Sequence, residues 1–203
     1  MRSSGQPEGE AIAAALMTRR AVVTGMAMMS VAGAIALALP RSLTAAAASR
    51  PDNSGTVRIE KFSDAGKSLG VEAFPKVMKS DAEWRKQLSP LSYEITRQQG
   101  TERAGSNDGE HSDGLYHCIC CETVLYDSRT KFESGTGWPS FYQPISKLNV
   151  VESNDSSFGM QRIAVSCRRC DAHLGHVFDD GPRPTGLRYC MNGVAMHFVP
   201  RKA

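Results

Sequence analysis

The run Cys167-Arg-Arg-Cys170-Asp-Ala-His173-Leu-Gly-His176-Val-Phe178 leads from a metal-binding turn straight into a strand-like segment. A second unit, Cys118-Ile-Cys-Cys121, precedes it with 45 residues between them. A two-residue gap lets both sulfurs of one tight turn face a single ion at about 2.3 Å, and two such turns complete a tetrahedron. Cys118, Cys121, Cys167 and Cys170 are therefore predicted to hold one structural Zn2+ per chain, with no coordination position left for water or substrate. The six cysteines could instead form three disulfides in an exported protein, but the doubled C-x-x-C spacing favours zinc. The gap is longer than in a usual zinc ribbon, so strands must be inserted between the two turns.

Outward from these turns, short strand-like pieces fall at 115–119, 123–127, 149–152, 160–166, 176–178, 188–192 and 195–199, separated by Gly, Pro, Asn and Asp clusters. That spacing predicts a mainly β domain, a sandwich or barrel. Ser80 and Glu83 stand three apart ahead of Trp84, a capping box opening one short helix that Ser89-Pro90 is expected to stop. Residues 101–114 are polar and Gly-rich and are expected to form an exposed loop. Residues 50–76 read as a linker or N-terminal arm and 77–203 as the domain.

Residues 1–49 differ in kind. Arg19-Arg20, an uncharged apolar run over 21–39 and the small residues Ala45 to Ala48 together describe a cleavable export signal. The arginine pair resembles the twin-arginine motif, with Val22 where Phe is usual, and Met17 is a candidate start. The expected location is a bacterial periplasm; an uncleaved membrane anchor through 21–39 is the rival. That route exports proteins already folded, which suits thiolate-bound zinc. From Arg50 onward twenty Lys and Arg face nineteen Asp and Glu, so no basic footprint for nucleic acid exists, and a monomer is expected.

Cys190 lies outside both turns, in Gly186-Leu-Arg-Tyr-Cys-Met-Asn192. On a strand, Arg188 and Asn192 would share its face, the first favouring thiolate and the second able to donate to a substrate oxygen. A buried structural cysteine is the plainer reading of Cys190 alone. His173 and His176, held by the second cysteine turn, shift the balance toward thiol chemistry with proton transfer. Trp138, in the Gly-rich turn Ser134-Gly-Thr-Gly-Trp-Pro-Ser-Phe141, is a candidate wall for an apolar group.

These four motifs, in this order and across roughly residues 77–200, resemble the methionine-R-sulfoxide reductases. The resemblance implies two antiparallel β-sheets with zinc at one edge and reduction of methionine-R-sulfoxide in oxidised proteins or peptides. By motif, Cys190 would be the nucleophile, Arg188 would stabilise its thiolate, and Asp180 would hold the local charges. His173, His176 and Asn192 would bind or protonate the sulfoxide oxygen, and Trp138 would receive the methyl group. The resemblance departs at Thr136, where many members carry a resolving cysteine. Regeneration is therefore expected to draw on an external thiol, such as a thioredoxin-like reductant, with Cys120 as the alternative. A non-catalytic zinc-knuckle binding module is the competing function, but it leaves Cys190, the histidines and the Trp turn without a purpose. A disulfide-exchange protein is a third, and it would need one of the metal pairs as its redox site.

Overall fold

A computed structural model describes residues 55–107, 111–159 and 161–202, so the expected export segment lies outside the described residues. An N-terminal hairpin of β1 (Thr56–Phe62) and β2 (Ser68–Pro75) precedes helices α1 (Asp81–Gln87) and α2 (Pro90–Gln98). Then come β3 (Gly114–Cys118), β4 (Val124–Asp127), β5 (Lys131–Phe132), β6 (Ser140–Phe141) and β7 (Val150–Asp155). The remaining strands are β8 (Arg162–Cys167), β9 (His173–Phe178), β10 (Arg188–Met191) and β11 (Met196–Pro200).

Beyond the hairpin the strands form two antiparallel sheets, β5-β6-β10-β9-β8-β7 and β11-β3-β4. The mainly β expectation stands. Two local readings need correction. Ser80 and Glu83 do form the reciprocal capping box of α1, but Ser89-Pro90 starts a second helix instead of only ending the first. Ser89 caps the Ser92 amide, and proline sits in the first turn, where its missing N–H has no role to lose. The arm read as 50–76 carries a full hairpin rather than a plain linker. Asn149, fully buried, ties it down by bonding both backbone groups of Glu60 and the carbonyl of Val124.

Strand alternation builds the core between the two larger sheets. Tyr189 and Met191 of β10 and Phe141 of β6 face inward with Tyr116 and Tyr126 of the smaller sheet. Tyr126 stacks on Phe141 at 4.4 Å between ring centres, and Tyr116 meets the same ring edge-on at 5.0 Å. Burying a ring of this kind stabilises a fold by about 1.5–3 kcal/mol. The alternate residues Arg188, Cys190 and Ser140 must then point to the opposite face. The core thus fixes where the chemistry can be.

Candidate metal centre and thiol cavity

The β3–β4 and β8–β9 turns each close with a backbone bond to the carbonyl of their first cysteine: Glu122 N donates to Cys118 and Asp171 N to Cys167. In both turns the residue after the second cysteine adopts a left-handed conformation, Glu122 at φ 63° and Asp171 at φ 56°. The four sulfurs converge, all within 4.8 Å of one another, with Cys118 to Cys170 at 3.6 Å and Cys121 to Cys167 at 3.5 Å. A tetrahedron with metal–sulfur bonds of about 2.3 Å has edges of roughly 3.8 Å, so the donor set fits zinc. Hydrogen bonds among the crowded sulfurs hold Cys121 far below, and Cys118 and Cys170 far above, the ordinary thiol value. A divalent cation removes that conflict by stabilising all four thiolates. It would also join one sheet to the other.

Cys120 is not one of the four converging sulfurs. It is buried, and bonds from the Cys118 and Cys170 sulfurs, with smaller help from Thr96 and Arg97 of α2, hold its thiol down at about 3.

Cys190 pairs across the sheet with His176 of β9 on one side and Ser140 of β6 on the other. It lines a cavity of about 150 Å³ with Thr101, Trp138, Arg162, Gly175, His176, Phe178, Met191 and Asn192. A larger groove of about 590 Å³ adjoins it, sharing Arg162 and Phe178. Burial pushes the Cys190 thiol above its ordinary value, while the Thr136 hydroxyl, the Arg188 charge and the Ser140 hydroxyl pull it back. At neutral pH the resting group is a thiol with a thiolate-stabilising partner beside it. Arg188 is held in place by a two-pronged bond to Asp180, at 2.8 and 2.7 Å, and by the Phe178 ring 4.4 Å away. Asp180 thus touches the Cys190 surroundings through Arg188.

His173 and His176 are three apart, yet both imidazoles meet edge-on at 5.2 Å. A bulge explains it: Val165 pairs with Gly175 and Ser166 with His173, so one extra β9 residue restores the shared face. At Gly175 a Cβ would collide with the Cys190 carbonyl, so only glycine lets β9 approach β10 this closely. His176 lines the cavity, and its Nε2 lies 2.8 Å from Asp155 Oδ2. His173 lies outside that lining: it is buried, its Nε2 has no hydrogen-bond partner, and burial with neighbouring His176 lowers its pKa to about 4.

Asp155 and Arg162 were missed by sequence reasoning. They face each other as cross-strand partners on either side of the β7–β8 turn, with Arg162 Nη2 2.8 Å from Asp155 Oδ2. Ser157 bonds and then His176 hold the Asp155 carboxyl far below the usual range. The only available signal was the opposite charges flanking a turn. Glu102 was missed too, because residues 101–114 were expected to be exposed. It is 3% exposed, and its carboxylate accepts from Gly193 N at 2.5 Å, Val194 N at 3.2 Å and Asn107 Nδ2 at 2.9 Å. Its backbone accepts from Trp138 Nε1 at 3.1 Å and donates to Asn192 Oδ1 at 2.9 Å. Glu102 thus straps the Trp138 turn to the end of β10. Asn192 spends its amide on this strap and on the Leu174 carbonyl, so it supports the cavity wall through backbone contacts.

Thr136 Oγ1 lies 3.9 Å from Cys190 Sγ and bonds Ser134, which bonds Ser140. Hydroxyls thus surround the thiol on the Thr136 side.

Comparison with known sequences matches the SelR domain over residues 88–200. The chain is 54% identical over 128 residues to "Peptide methionine sulfoxide reductase MsrB" of Pseudomonas entomophila, covering 62% of this chain and 98% of that protein. It is 56% identical over 128 residues, with the same coverage, to the protein of that name from Pseudomonas fluorescens.

Proposed function

The chain belongs to the SelR-domain family, and from that premise we propose the following chemistry for it. It reduces methionine sulfoxide in peptides to methionine, and its finer specificity is for the R epimer. The observation that carries this reading is Cys190: a thiol on a cavity wall, with Arg188 beside it, His176 opposite and Trp138 across the opening. A cavity of about 150 Å³ suits the end of one methionine side chain, and the adjoining groove leaves room for the chain that carries it.

The methyl group packs against Trp138, whose indole is fixed by the Glu102 carbonyl. Cys190 attacks the sulfoxide sulfur as the thiol proton passes to the developing oxyanion. The oxygen then passes to the Cys190 sulfur as its bond to the methionine sulfur and the bond between the two sulfurs break, releasing methionine and leaving sulfenic acid on Cys190. Arg188 stabilises the thiolate as it forms. His176, oriented by Asp155, and buried His173 behind it relay protons to the oxygen, directly or through water. Cys118, Cys121, Cys167 and Cys170 would hold a structural zinc ion, which would supply folding free energy.

Thr136 cannot form a disulfide, and Cys120 is not among the residues lining the cavity. An external thiol then attacks sulfenic Cys190, releasing water and leaving a mixed disulfide that a second thiol reduces. A thioredoxin-like protein fits that role. The protein is read as exported, on the strength of Arg19-Arg20, the apolar run 21–39 and the alanines before Arg50. A non-catalytic zinc module would leave the Cys190 cavity without use.

The test uses the purified protein with dithiothreitol and peptides carrying R- or S-methionine sulfoxide. Reduction of R alone is expected, abolished by Cys190→Ser with zinc content unchanged. Activity on S, or survival of the variant, would sink the proposal. Without reductant, one turnover should leave Cys190 trappable by dimedone; a Cys120–Cys190 disulfide would overturn the external-thiol step.

A further inference from the structure

His117 and His197 face each other directly across β3 and β11, with imidazole centres 5.3 Å apart. Glu122 reaches the same spot because its left-handed backbone turns it back from the first cysteine turn. One nitrogen of each imidazole and one Glu122 carboxylate oxygen lie within 4.8 Å of one another, and His197 Nε2 is 3.1 Å from Glu122 Oε2. None of the three side chains lines the thiol cavity or belongs to the four-cysteine donor set.

Two further features distinguish this cluster from an ordinary surface ion pair. His117 Nδ1 lies 3.2 Å from the Glu122 carbonyl oxygen, and its Nε2 is buried with no hydrogen-bond partner. With the Nδ1 proton given to that carbonyl, the other nitrogen carries a bare lone pair, the form in which imidazole binds metals. A buried polar atom without a partner is costly, and a cation coordinated there would offset that cost. Glu122 and His197, by contrast, are partly open to solvent, which gives an ion an entry path.

We propose that His117, Glu122 and His197 form a second metal site, for a first-row divalent ion of the zinc or copper class. Two imidazoles and one carboxylate are a donor set these ions favour, and three protein ligands leave one position for water. Such a site is exchangeable, unlike the closed four-thiolate centre. An ion in it joins β3 to β11 and to the turn carrying Cys118 and Cys121.

The experiment uses the full chain in its zinc-loaded form, titrated calorimetrically with Zn2+ in a non-chelating buffer and followed by metal analysis. Wild type is expected to take up a second zinc ion in micromolar fashion and to melt a few degrees higher with excess zinc. Glu122→Gln and His197→Ala should each weaken the second event by about tenfold or more while keeping the first ion. Both changes are at partly exposed side chains, and metal content reports whether the core site survives. Absence of a second event in wild type overturns the site. Its retention in either variant, for example because His173 and His176 supply it, does so as well.

Discussion

The two cysteine turns share one design and have opposite surroundings. Each is a C-x-x-C closed by a left-handed residue, and each stands at the end of a hairpin with histidines nearby. The β8–β9 turn feeds a strand whose bulge turns His173 and His176 together beside Cys190. The β3–β4 turn is preceded by His117, whose partner across the regular β3–β11 pairing is another imidazole, His197. The same kind of turn therefore leads on one sheet to the histidines near Cys190 and, on the other, to a cluster with no thiol in it. What differs is which strand carries the histidines: the one leaving the β8–β9 turn, and the one entering the β3–β4 turn.

The most severe way to break the comparison is to remove one ligand from each turn. If one ion is shared, Cys118→Ser and Cys167→Ser should each abolish zinc retention and lower stability by similar amounts, on the order of several kcal/mol or more. Metal analysis and urea unfolding check this. Zinc retained in either variant, or a large loss in only one, would show that the two turns are not joined by one ion.

The turns were readable because their ligands are neighbours in sequence, and Cys190 emerged once those four were set aside. Arg188 followed from strand alternation, which holds on a regular ladder. His173 and His176 were recognised as a pair, but why both share a face depends on a bulge that no spacing rule reveals. Asp155 is beyond local reasoning for another reason: its value to His176 depends on pairing across three strands. Glu102 was illegible because its partners, the amides of Gly193 and Val194, are 91 and 92 residues away and have no side-chain signature. A polar, Gly-rich segment reads as solvent-exposed whether or not one of its carboxylates is inserted in the protein.

A gentler test contrasts the two turns through acid. Burial lowers the pKa of His117 and, most of all, brings His173 to about 4. The folded value of His173 lies below an unfolded value of about 6.5, so between them the unfolded chain binds the extra proton. Its contribution is complete above pH ~6.5 and is lost as pH falls toward 4, roughly 2 kcal/mol between pH 7.5 and 4.5. Asp155, held far below its usual range, acts in the same direction at lower pH. His173→Gln should reduce the acid-induced fall in urea midpoint by that share. The thiolates of the zinc site also protonate in acid, but they do so in both proteins, so the difference isolates His173. An unchanged slope would mean that the imidazole is solvated and not held neutral beside the cavity.

The smallest expected effect concerns the strap that only the catalytic side possesses. Glu102 accepts two backbone N–H groups at the start of the 3-10 turn Gly193–Ala195, immediately after Asn192. Glu102→Gln keeps the shape but turns one acceptor oxygen into a donor facing those amides, at a cost of about 1–2 kcal/mol in stability. The backbone bonds of residue 102 to Trp138 and Asn192 do not depend on its side chain, but their position does. The activity loss should therefore appear as a raised KM for peptide substrate with kcat nearly kept, since the Trp138 wall moves while Cys190, Arg188 and His176 remain on their strands. Zinc content and binding at the His117 cluster should be unchanged. If instead kcat falls with KM constant, Glu102 acts on the reacting groups themselves, and the strap is part of the proton relay and not a support for the methyl-binding wall.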